Sequence, residues 1–444
     1  MNKELKPYDE YKETDLSWLD KVPKHWEIKP NRVLWNERKT INCISEQLLS
    51  VTIKKGIISQ AELLQSSSKK DSSNVDKSKY KLVAPNDIVY NKMRMWQGAV
   101  GVSNDRGIVS PAYIVLKPRG DINHRYYHFL LRTPGYIEES HRNSYGICDD
   151  QLSLRYEDFK GMQNIIPPKD EQDQIVRYLD SKLSKANKFI NTKKKQIELL
   201  QELKQAIINK AVTKGLAPTA KMKPSGIEWL GDIPEGWEVK PMKYFAKIRN
   251  GKNFTFAKNG MVPVYGSGGK FSTTNLVLYD KPSVLLGRKG TIDKPILVEE
   301  PFWSVDTSFY TEIGENIDVR YFYYICCNID FGYYVYGTAL PSMTQTILNS
   351  IKLPCPLLSE QQEIVRYIET KTLSIDNAIE AIKKEIDLIS EYRTSLISDV
   401  VTGKVDVRHV EVEETFEEVE QDFNDLEEYA GEELVEKEDE VYVN

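Results

Sequence analysis

One nine-residue sequence occurs twice in the chain with small differences. Residues 171–179 read EQDQIVRYL and residues 360–368 read EQQEIVRYI, with six of nine positions identical. At an offset of 189 residues, and without a gap, the likeness extends from Pro167/Pro356 to Thr213/Thr402. Neither Pro nor Gly interrupts either copy after its Glu, so each copy predicts one long helix. A repeat of this length predicts a tandem of two similar units.

A second repeat lies nearer the start of each unit. WLDKVPKHWEIKP (Trp18 to Pro30) matches WLGDIPEGWEVKP (Trp229 to Pro241) at an offset of 211. We call this sequence the Trp motif. The two offsets differ by 22 residues, so the variable stretch between the Trp motif and the helix is longer in the first unit. Each unit therefore consists of a Trp motif, a variable globular region and a repeated helix.

Both helical segments carry a regular apolar seam. Alternating steps of three and four residues from Val176 to Ala211 reach eleven positions, of which nine are apolar. The same register from Val365 to Val400 again gives nine of eleven, and the basic break at Lys204 recurs as Arg393. This pattern is typical of a coiled coil. The alternative is that each helix lies on the surface of its own domain.

Connectivity predicts that paired helices are antiparallel, because the second helix starts where the second globular region ends. Each helix would be roughly 65 Å long at 1.5 Å per residue. The predicted fold is α+β: two similar globular domains separated by two long helices in an antiparallel coiled coil, a dumbbell with an approximate two-fold axis. The predicted boundaries are an N-terminal extension 1–14, domain one 15–165, helix one 166–214, a linker 215–224, domain two 225–354, helix two 355–405 and a disordered acidic tail 406–444.

Charge is distributed unevenly along the chain. The net charge is −6, but residues 410–444 hold 16 Asp or Glu and one Lys, which leaves +9 for the rest. A basic body fits a polyanion such as double-stranded DNA, whose half-sites lie about 34 Å apart on one face. Five cysteines without CxxC spacing predict a reducing cytoplasm and no metal site. Without an apolar run of about 20 residues, no membrane span is expected.

The doubled organisation resembles the specificity subunit of type I restriction-modification systems over residues 15 to about 405. The residues that carry the resemblance are the Trp motifs, with Ser225 to Gly231 ahead of the second, and the segments Pro167...Glu171-Gln172...Ile175 and Pro354...Glu360-Gln361...Ile364. The resemblance implies two target-recognition domains on a helical spacer. It also implies assembly with two adenine methyltransferase subunits and with motor-nuclease restriction subunits.

The resemblance further implies a subunit without catalysis and without its own cofactor. S-adenosylmethionine, ATP and Mg are then expected in the partner subunits. The residues agree independently, because the sequence lacks the G-x-x-x-x-G-K-[ST] and [ND]-P-P-[YF] motifs and has no His between His141 and His409. A histidine-based site repeated in both halves is therefore excluded.

Candidate DNA contacts lie in polar loops of each variable region, since Arg bonds to guanine, Asn or Gln to adenine and Lys to phosphate. In domain one the apolar alternation around Asp87 to Tyr90 predicts a strand that leads into the first group of candidates. The candidates there are Asn91, Lys92, Arg94, Trp96, Gln97, Arg142, Asn143, Tyr145 and Gln151. In domain two they are Lys252, Asn253, Ser267, Lys270, Arg288, Lys289, Thr338, Ser342, Thr344 and Gln345. The alternative is that these loops are ordinary surface turns and that Trp96 packs within its own domain.

Four further residues are repeated between the two helices, and not all of them are needed for the apolar seam: Arg177, Tyr178, Arg366 and Tyr367. They are candidates for binding a partner. A repeated surface suits two copies of one partner, although these side chains could instead pack on the adjoining domain. A different class of function also fits the organisation, namely a coiled-coil adaptor whose two heads bind proteins. The basic body and the Arg, Lys, Asn and Gln loops favour DNA.

Overall fold

The computed structural model describes residues 6–53, 56–65, 76–147, 151–254, 260–334 and 341–412. The chain divides into two compact units. Unit 1 comprises residues 1–194 and 383–444, and unit 2 comprises residues 195–382. Both long helices therefore contribute one part to each unit. We call the globular parts head 1 and head 2.

Unit 1 is built mainly from short strands. They are β1 (Tyr11–Leu16), β2 (Leu19–Pro23), β3 (Glu27–Pro30), β4 (Trp35–Glu37), β5 (Leu49–Thr52), β6 (Gly56–Ser59), β7 (Lys81–Val83), β8 (Ile88–Asn91), β9 (Val100–Val102), β10 (Gly107–Val109), β11 (Tyr113–Pro118) and β12 (Gln163–Ile166). Its short helices are α1 (Gln60–Gln65), α2 (His124–Leu131), α3 (Pro134–Arg142) and α4 (Tyr156–Phe159). Helix α5 (Lys169–Lys214) begins in this unit.

Unit 2 repeats this plan with a different middle. Its strands are β13 (Met222–Pro224), β14 (Asp232–Pro234), β15 (Glu238–Pro241), β16 (Ala246–Asn250), β17 (Val262–Gly266), β18 (Gly269–Thr274), β19 (Ser283–Gly287), β20 (Ile296–Val298), β21 (Trp303–Ser304), β22 (Ser308–Ile313) and β23 (Lys352–Cys355). Its helices are α6 (Val319–Cys326), α7 (Gln345–Ser350) and the first part of α8 (Leu358–Val401).

The same four-stranded sheet forms the centre of both heads. Its order is β4-β11-β8-β9 in head 1 and β16-β22-β19-β20 in head 2. Strands β8 and β19 are almost entirely buried, and each contains three consecutive apolar residues, Ile88 to Tyr90 and Val284 to Leu286. The heads differ between these shared elements: head 1 adds the β5-β6 and β7-β10 pairs, whereas head 2 adds the sheet β18-β17-β21. The 22-residue difference between the offsets therefore falls in the variable part of each head.

The Trp motif and the strand before each helix pair with one another. Strand β12 runs antiparallel to β3 with Ile165 opposite Ile28, and β23 runs antiparallel to β15 with Leu353 opposite Lys240. The two parts of the sequence that repeat are thus neighbours in space in each unit. Each head is closed at its base by this strand pair, directly before the long helix begins.

The first turn of each long helix bonds back to its head through Glu171 or Glu360. Glu171 Oε2 accepts a hydrogen bond of 2.8 Å from the indole N–H of Trp26, and Glu360 Oε1 accepts one of 3.0 Å from Trp237. A carboxylate in the first turn is also stabilised by the helix dipole. The repeated Glu therefore fixes the repeated Trp.

The neighbouring glutamine completes the same connection. Gln172 Oε1 accepts from the backbone N–H of Asn123, the N-cap residue of α2, at 2.8 Å, and its Nε2 donates to Pro167 O at 2.8 Å. Gln361 repeats both bonds, to the N–H of Asp318 at 2.9 Å and to Pro356 O at 3.0 Å. Both glutamine side chains are buried. The phrase EQ thus joins the long helix to the strand before it and to a helix of the head.

Helices α5 and α8 pair antiparallel within each unit. In unit 1 the core contains Leu179 and Leu183 from early α5 together with Leu396 and Val400 from late α8. Lys193 also pairs with Glu385 at 2.6 Å. Because early α5 meets late α8, the pairing is antiparallel, as the connectivity predicts.

Unit 2 shows the reverse combination. Ile208 and Val212 from late α5 share its core with Ile364 and Ile368 from early α8. Lys204, the predicted basic break in the seam, bonds to Asp376 at 2.6 Å and 2.9 Å. The predicted seam is thus confirmed, and its basic position carries an ion pair between the helices.

Both long helices end at a glycine beside a Trp motif. Gly215 follows α5 with φ +70°, and Gly403 follows α8 with φ +75°. Such left-handed conformations at helix ends favour glycine. A Cβ at Gly403 would lie 2.9 Å from Trp26, and one at Gly215 would lie 3.2 Å from Trp237. Both the turn and the close approach therefore need glycine here.

Segments outside the two predicted domains also belong to the folded units. In unit 2, residues 222–224 of the predicted linker form β13, which pairs with β14. In unit 1, Tyr8 of the predicted N-terminal extension is buried. Of the predicted tail 406–444, residues 406–412 pack on unit 1: Val407 is buried, and Arg408 lies over the ring of Tyr8 at 4.8 Å. The rest of the tail lies outside the described residues.

Replacing Gln361 with Ala should lower the free energy of unfolding by about 1–3 kcal/mol, because buried partners lose their hydrogen bonds. The exposed neighbour in Gln362→Ala serves as the matched control, with almost no expected change. Urea unfolding of both variants measures the difference. Equal stability of the two variants would contradict the structural role of Gln361.

Candidate nucleic-acid interface

In head 1, strand β8 opens into a compact polar loop. Asn91 Oδ1 accepts the backbone N–H of Met93 at 2.9 Å, and the Trp96 indole donates to Met93 O at 2.9 Å. The Trp96 ring lies 5.6 Å from that of His141 on α3. The loop after β8 is therefore folded by its own side chains and rests on the end of α3, which carries the next predicted group.

The second predicted loop of head 1 lies beside the first. Tyr145 and Ser153 exchange backbone hydrogen bonds of 3.2 Å and 3.0 Å, which closes the loop between them. The backbone N–H of Leu154 donates to Lys92 O at 2.8 Å. Residues 91–97 thus meet the segments on either side of this loop, 142–147 and 151–154, although they are far apart in sequence.

Several head 1 candidates already bond within the protein. Arg142 pairs with Glu138, and Asn143 Nδ2 donates to the Glu139 carbonyl and carboxylate at 2.9 Å and 3.0 Å. Tyr145 and Gln151, in contrast, are exposed, with 64% of Tyr145 accessible. Contact of Arg142 or Asn143 with a base would require exchange of these internal bonds.

In head 2, the loop after β19 occupies the equivalent place. Arg288 N–H donates to Thr307 O at 2.9 Å, and the guanidinium lies 5.9 Å from the Phe309 ring centre. The exposed Lys289 forms a backbone bridge with Ser342. These bonds bring the predicted residues 288, 289 and 342 together.

The glycine-rich turn of head 2 joins this cluster. Ser267 Oγ donates to Lys289 O at 2.7 Å, and its backbone N–H donates to Thr307 Oγ1 at 3.3 Å. Lys270 is exposed one residue beyond the start of β18. Close backbone approach and an exposed Lys are the features expected of a phosphate contact.

Lys252 reaches the same area from β16. Its N–H donates to Ser304 O at 2.8 Å, and its carbonyl accepts from the Trp303 indole at 2.7 Å. The ring of Phe254 contacts that of Phe271 at 5.7 Å, which links residues 252–254, including Asn253, to the β17-β18 hairpin. Lys252, Ser267, Arg288, Lys289 and Ser342 are therefore all held around the segment 303–307.

The remaining candidates of head 2 behave differently. Thr344 is the N-cap of α7, where its hydroxyl accepts the Ile347 N–H at 3.2 Å, and Gln345 Nε2 donates to Ile248 O at 3.2 Å and to Asn250 Oδ1 at 3.3 Å. Both side chains therefore stabilise the head itself. Thr338 lies outside the described residues.

One backbone hydrogen bond is common to both heads. Leu154 N–H donates to Lys92 O in head 1, and Met343 N–H donates to Arg288 O in head 2, at 2.8 Å and 2.9 Å. Leu154 and Met343 correspond at the 189-residue offset, and both are buried. The heads thus hold different loop sequences on one scaffold.

Three residues of the head 2 cluster were not identified from the sequence. Trp303 and Thr307 position Lys252 and Ser267, and Phe271 is exposed over 59% of its surface beside Lys270. Only Phe271 had a local signal, because it directly follows Lys270. Trp303 and Thr307 reach the cluster through tertiary placement alone.

The repeated helix residues do not form two equal surfaces. Arg177 and Arg366 are exposed, and Tyr367 is 39% exposed. Tyr178 is only 2% exposed and packs in the core of unit 1, where burial raises its pKa to about 12. For Tyr178 the structure therefore favours packing on the adjoining domain over an exposed partner contact.

Comparison with known protein families agrees with this organisation. A family model described as a type I restriction modification DNA specificity domain matches the chain twice, at residues 42–199 and 234–389. These matches cover well over half of the chain. The protein belongs to the specificity subunit family of type I restriction-modification systems.

Individual relatives are consistent with the family. The chain is 27% identical over 376 residues to the type I restriction enzyme MjaVIII specificity subunit of Methanocaldococcus jannaschii, covering 75% of this chain and 84% of that protein. It is 30% identical over 281 residues to the putative MjaX specificity subunit of the same organism, covering 58% of this chain and 63% of that protein.

A solved structure shows the same fold at low sequence identity. A chain from a study of complex assembly and conformational transition of the type I R-M system superposes with a TM-score of 0.60 at 12% identity. The superposition covers 86% of this chain and 99% of that one. Among the described residues, no helix combines the length and apolar character that crossing a membrane requires.

Lys289 is a predicted phosphate contact. On that prediction, replacing Lys289 with Ala should weaken DNA binding of the assembled complex several-fold and lower its salt dependence by about one unit of slope. Lys243→Ala is the control. Lys243 is also exposed, but it lies before β16, at the opposite end of that strand from the candidate Lys252. Titration of labelled duplex at several salt concentrations measures both effects. An unchanged slope for Lys289→Ala would argue against a phosphate contact.

Proposed function

We propose that this chain reads a bipartite, asymmetric target in double-stranded DNA, one half-site per head, with a spacer of fixed length that is not read. The observation that carries the proposal is the pair of matched heads. They share a sheet order and the loop-joining hydrogen bond, yet present different side chains in those loops. A common scaffold presents its loops in a common way, and different side chains then select different bases.

The reading loops combine the groups that such recognition needs. Exposed cations such as Lys270 and Lys289 suit phosphates, and the exposed Tyr145 and Gln151 suit base edges or sugars. Arg94 and Arg288 are the guanidinium groups of the two loops that follow β8 and β19. The charge of +9 outside residues 410–444 agrees with a polyanionic partner.

The catalytic steps belong to partner subunits in this proposal. Two methyltransferase subunits bind the repeated helix surfaces around Arg177 and Arg366, and motor-nuclease restriction subunits join the assembly. S-adenosylmethionine, ATP and Mg are bound by those partners, and this chain determines where they act. Two copies of one partner are supported by the two arginines alone, because Arg177 and Arg366 correspond at the 189-residue offset and both are exposed.

Co-expression with a methyltransferase subunit of the same system, followed by genome-wide mapping of methyladenine, tests the proposal. One bipartite asymmetric motif is the expected result. Absence of methylation, together with absence of DNA binding by the assembled complex, would overturn the proposal. That result, combined with capture of protein partners by the isolated heads, would favour the adaptor instead.

Exchange of residues 31–165 for the corresponding region of another family member should change one half of the methylated motif and leave the other half intact. The reason is that this region holds the reading loops of head 1 alone. The unexchanged chain, mapped in parallel, is the control. A change in both halves would refute the assignment of one head to one half-site.

Reversing a helix charge should remove one methyltransferase subunit from the complex. Arg177→Glu and Arg366→Glu are each expected to reduce the number of bound methyltransferase subunits from two to one, and the double variant should bind none. Lys188→Glu, at another exposed position of α5, is the control. Native mass spectrometry counts the subunits, and two retained copies in the double variant would place the partner elsewhere.

A further inference from the structure

Each head is fastened to a long helix of its own unit by an ion pair at an equivalent place. Arg125 at the start of α2 bonds to Asp180 on α5 at 2.8 Å, and Arg320 at the start of α6 bonds to Glu369 on α8 at 2.7 Å. Asp180 and Glu369 correspond at the 189-residue offset. Neither pair is needed for the sheet or the seam, and both join a head to a helix.

A tyrosine beside each arginine fastens the head to the other helix. Tyr126 OH donates to Val401 O near the end of α8 at 2.8 Å, and Tyr321 OH donates to Val212 O near the end of α5 at 3.4 Å. Both tyrosines are fully buried. Helix α2 is thus held to α5 and α8 within unit 1, and α6 is held to the same helices within unit 2.

We propose that the ion pairs Arg125–Asp180 and Arg320–Glu369 are positioning contacts that set how strictly the protein selects the length of the DNA spacer. This inference rests on the proposed function, in which each head reads one half-site. It assigns selection of spacer length to the orientation of each head on its helices, separately from the loops that select bases.

The geometry of DNA explains why a change in spacer length would affect these ion pairs. One added base pair moves a half-site about 3.4 Å along the duplex and turns it about 35°. A head that follows such a displacement must rotate on its helix. Hydrogen bonds near 2.8 Å do not survive a displacement of this size. Binding to a target of the wrong spacer length therefore breaks the ion pair, and this loss disfavours the wrong target.

Arg320 offers a matched pair of variants. Its guanidinium bonds to Glu369 on α8 and also to Glu299, which follows β20 in head 2, at 3.0 Å. Glu369→Ala removes the bond between head and helix, whereas Glu299→Ala removes a bond within the head. Both side chains are similarly accessible, at 39% and 47%. Both variants remove a carboxylate partner of the same arginine. Glu299 makes two hydrogen bonds to Arg320 and Glu369 makes one, so the control removes the larger number of bonds, all of them within the head.

The test compares methylation by the assembled complex of duplexes that share both half-sites and differ by one base pair in the spacer. We expect Glu369→Ala to reduce the preference for the native spacer about 3- to 10-fold with the half-site bases unchanged, and Glu299→Ala to leave it intact. Asp180→Ala, in the other unit, should reproduce the effect of Glu369→Ala. A merely structural contact would lower methylation of all duplexes equally and leave the preference unchanged.

Two failures are distinguishable. A preference for the native spacer that is unchanged within about two-fold in both Glu369→Ala and Asp180→Ala overturns the inference and leaves the proposed function standing. An unmodified complex that methylates no bipartite target removes the proposed function itself. A preference that falls equally in Glu299→Ala and Glu369→Ala also overturns the inference, because the lost bond would then act through the head.

Discussion

The hydrogen bond between a Trp indole and the first-turn carboxylate of each long helix is the interaction on which the architecture depends. Glu171 is 6% exposed, and a carboxylate this far from water is tolerated only when its oxygens are hydrogen-bonded. In unit 1 the bonds come from Trp26, Tyr8 and His25, and Arg408 lies 3.8 Å away. In unit 2 the indole of Trp237 supplies the matching bond to Glu360, which is half-buried. Each long helix therefore starts beside the indole that its own head presents.

This requirement explains why the two repeats occur together. The Trp motif supplies β3 or β15 and the indole donor, whereas the helical phrase supplies the carboxylate and the glutamine that holds α2 or α6. Each is useful only beside the other, and the pairing of β12 with β3, and of β23 with β15, brings them together. The segment between them can still vary widely, because each glutamine bonds to a backbone N–H of that segment, of Asn123 or Asp318, and not to a particular side chain.

The duplication, the helices and their antiparallel pairing could be predicted from the sequence, because each leaves a periodic or repeated signal. The buried strands β8 and β19 could also be predicted, since three consecutive apolar residues before a polar loop form a local pattern. Which loops come together in the folded head could not be predicted from the sequence. Lys252, Ser267 and Lys289 converge only through the segment 303–307, and no local rule relates them.

Side-chain roles show the same division. Asn, Gln, Thr and Arg are suited to bases, but the same donors and acceptors also fold loops and cap helices. Thr344 caps α7, Gln345 bonds to β16, and Asn143 bonds within α3. Residue type alone did not separate these from exposed residues such as Lys289 and Gln151, since the difference depends on what lies beside each one.

The repeated connection between head and helix also has a consequence at the level of genes. Two repeated stretches of protein sequence border each variable region, with seven of thirteen positions identical in the Trp motif and six of nine in the helical phrase. A crossover within the Trp motif and another within the helical phrase would transfer a complete head together with an intact set of bonds to its helix. New heads can thus be acquired by recombination without any need for the packing at their base to evolve again.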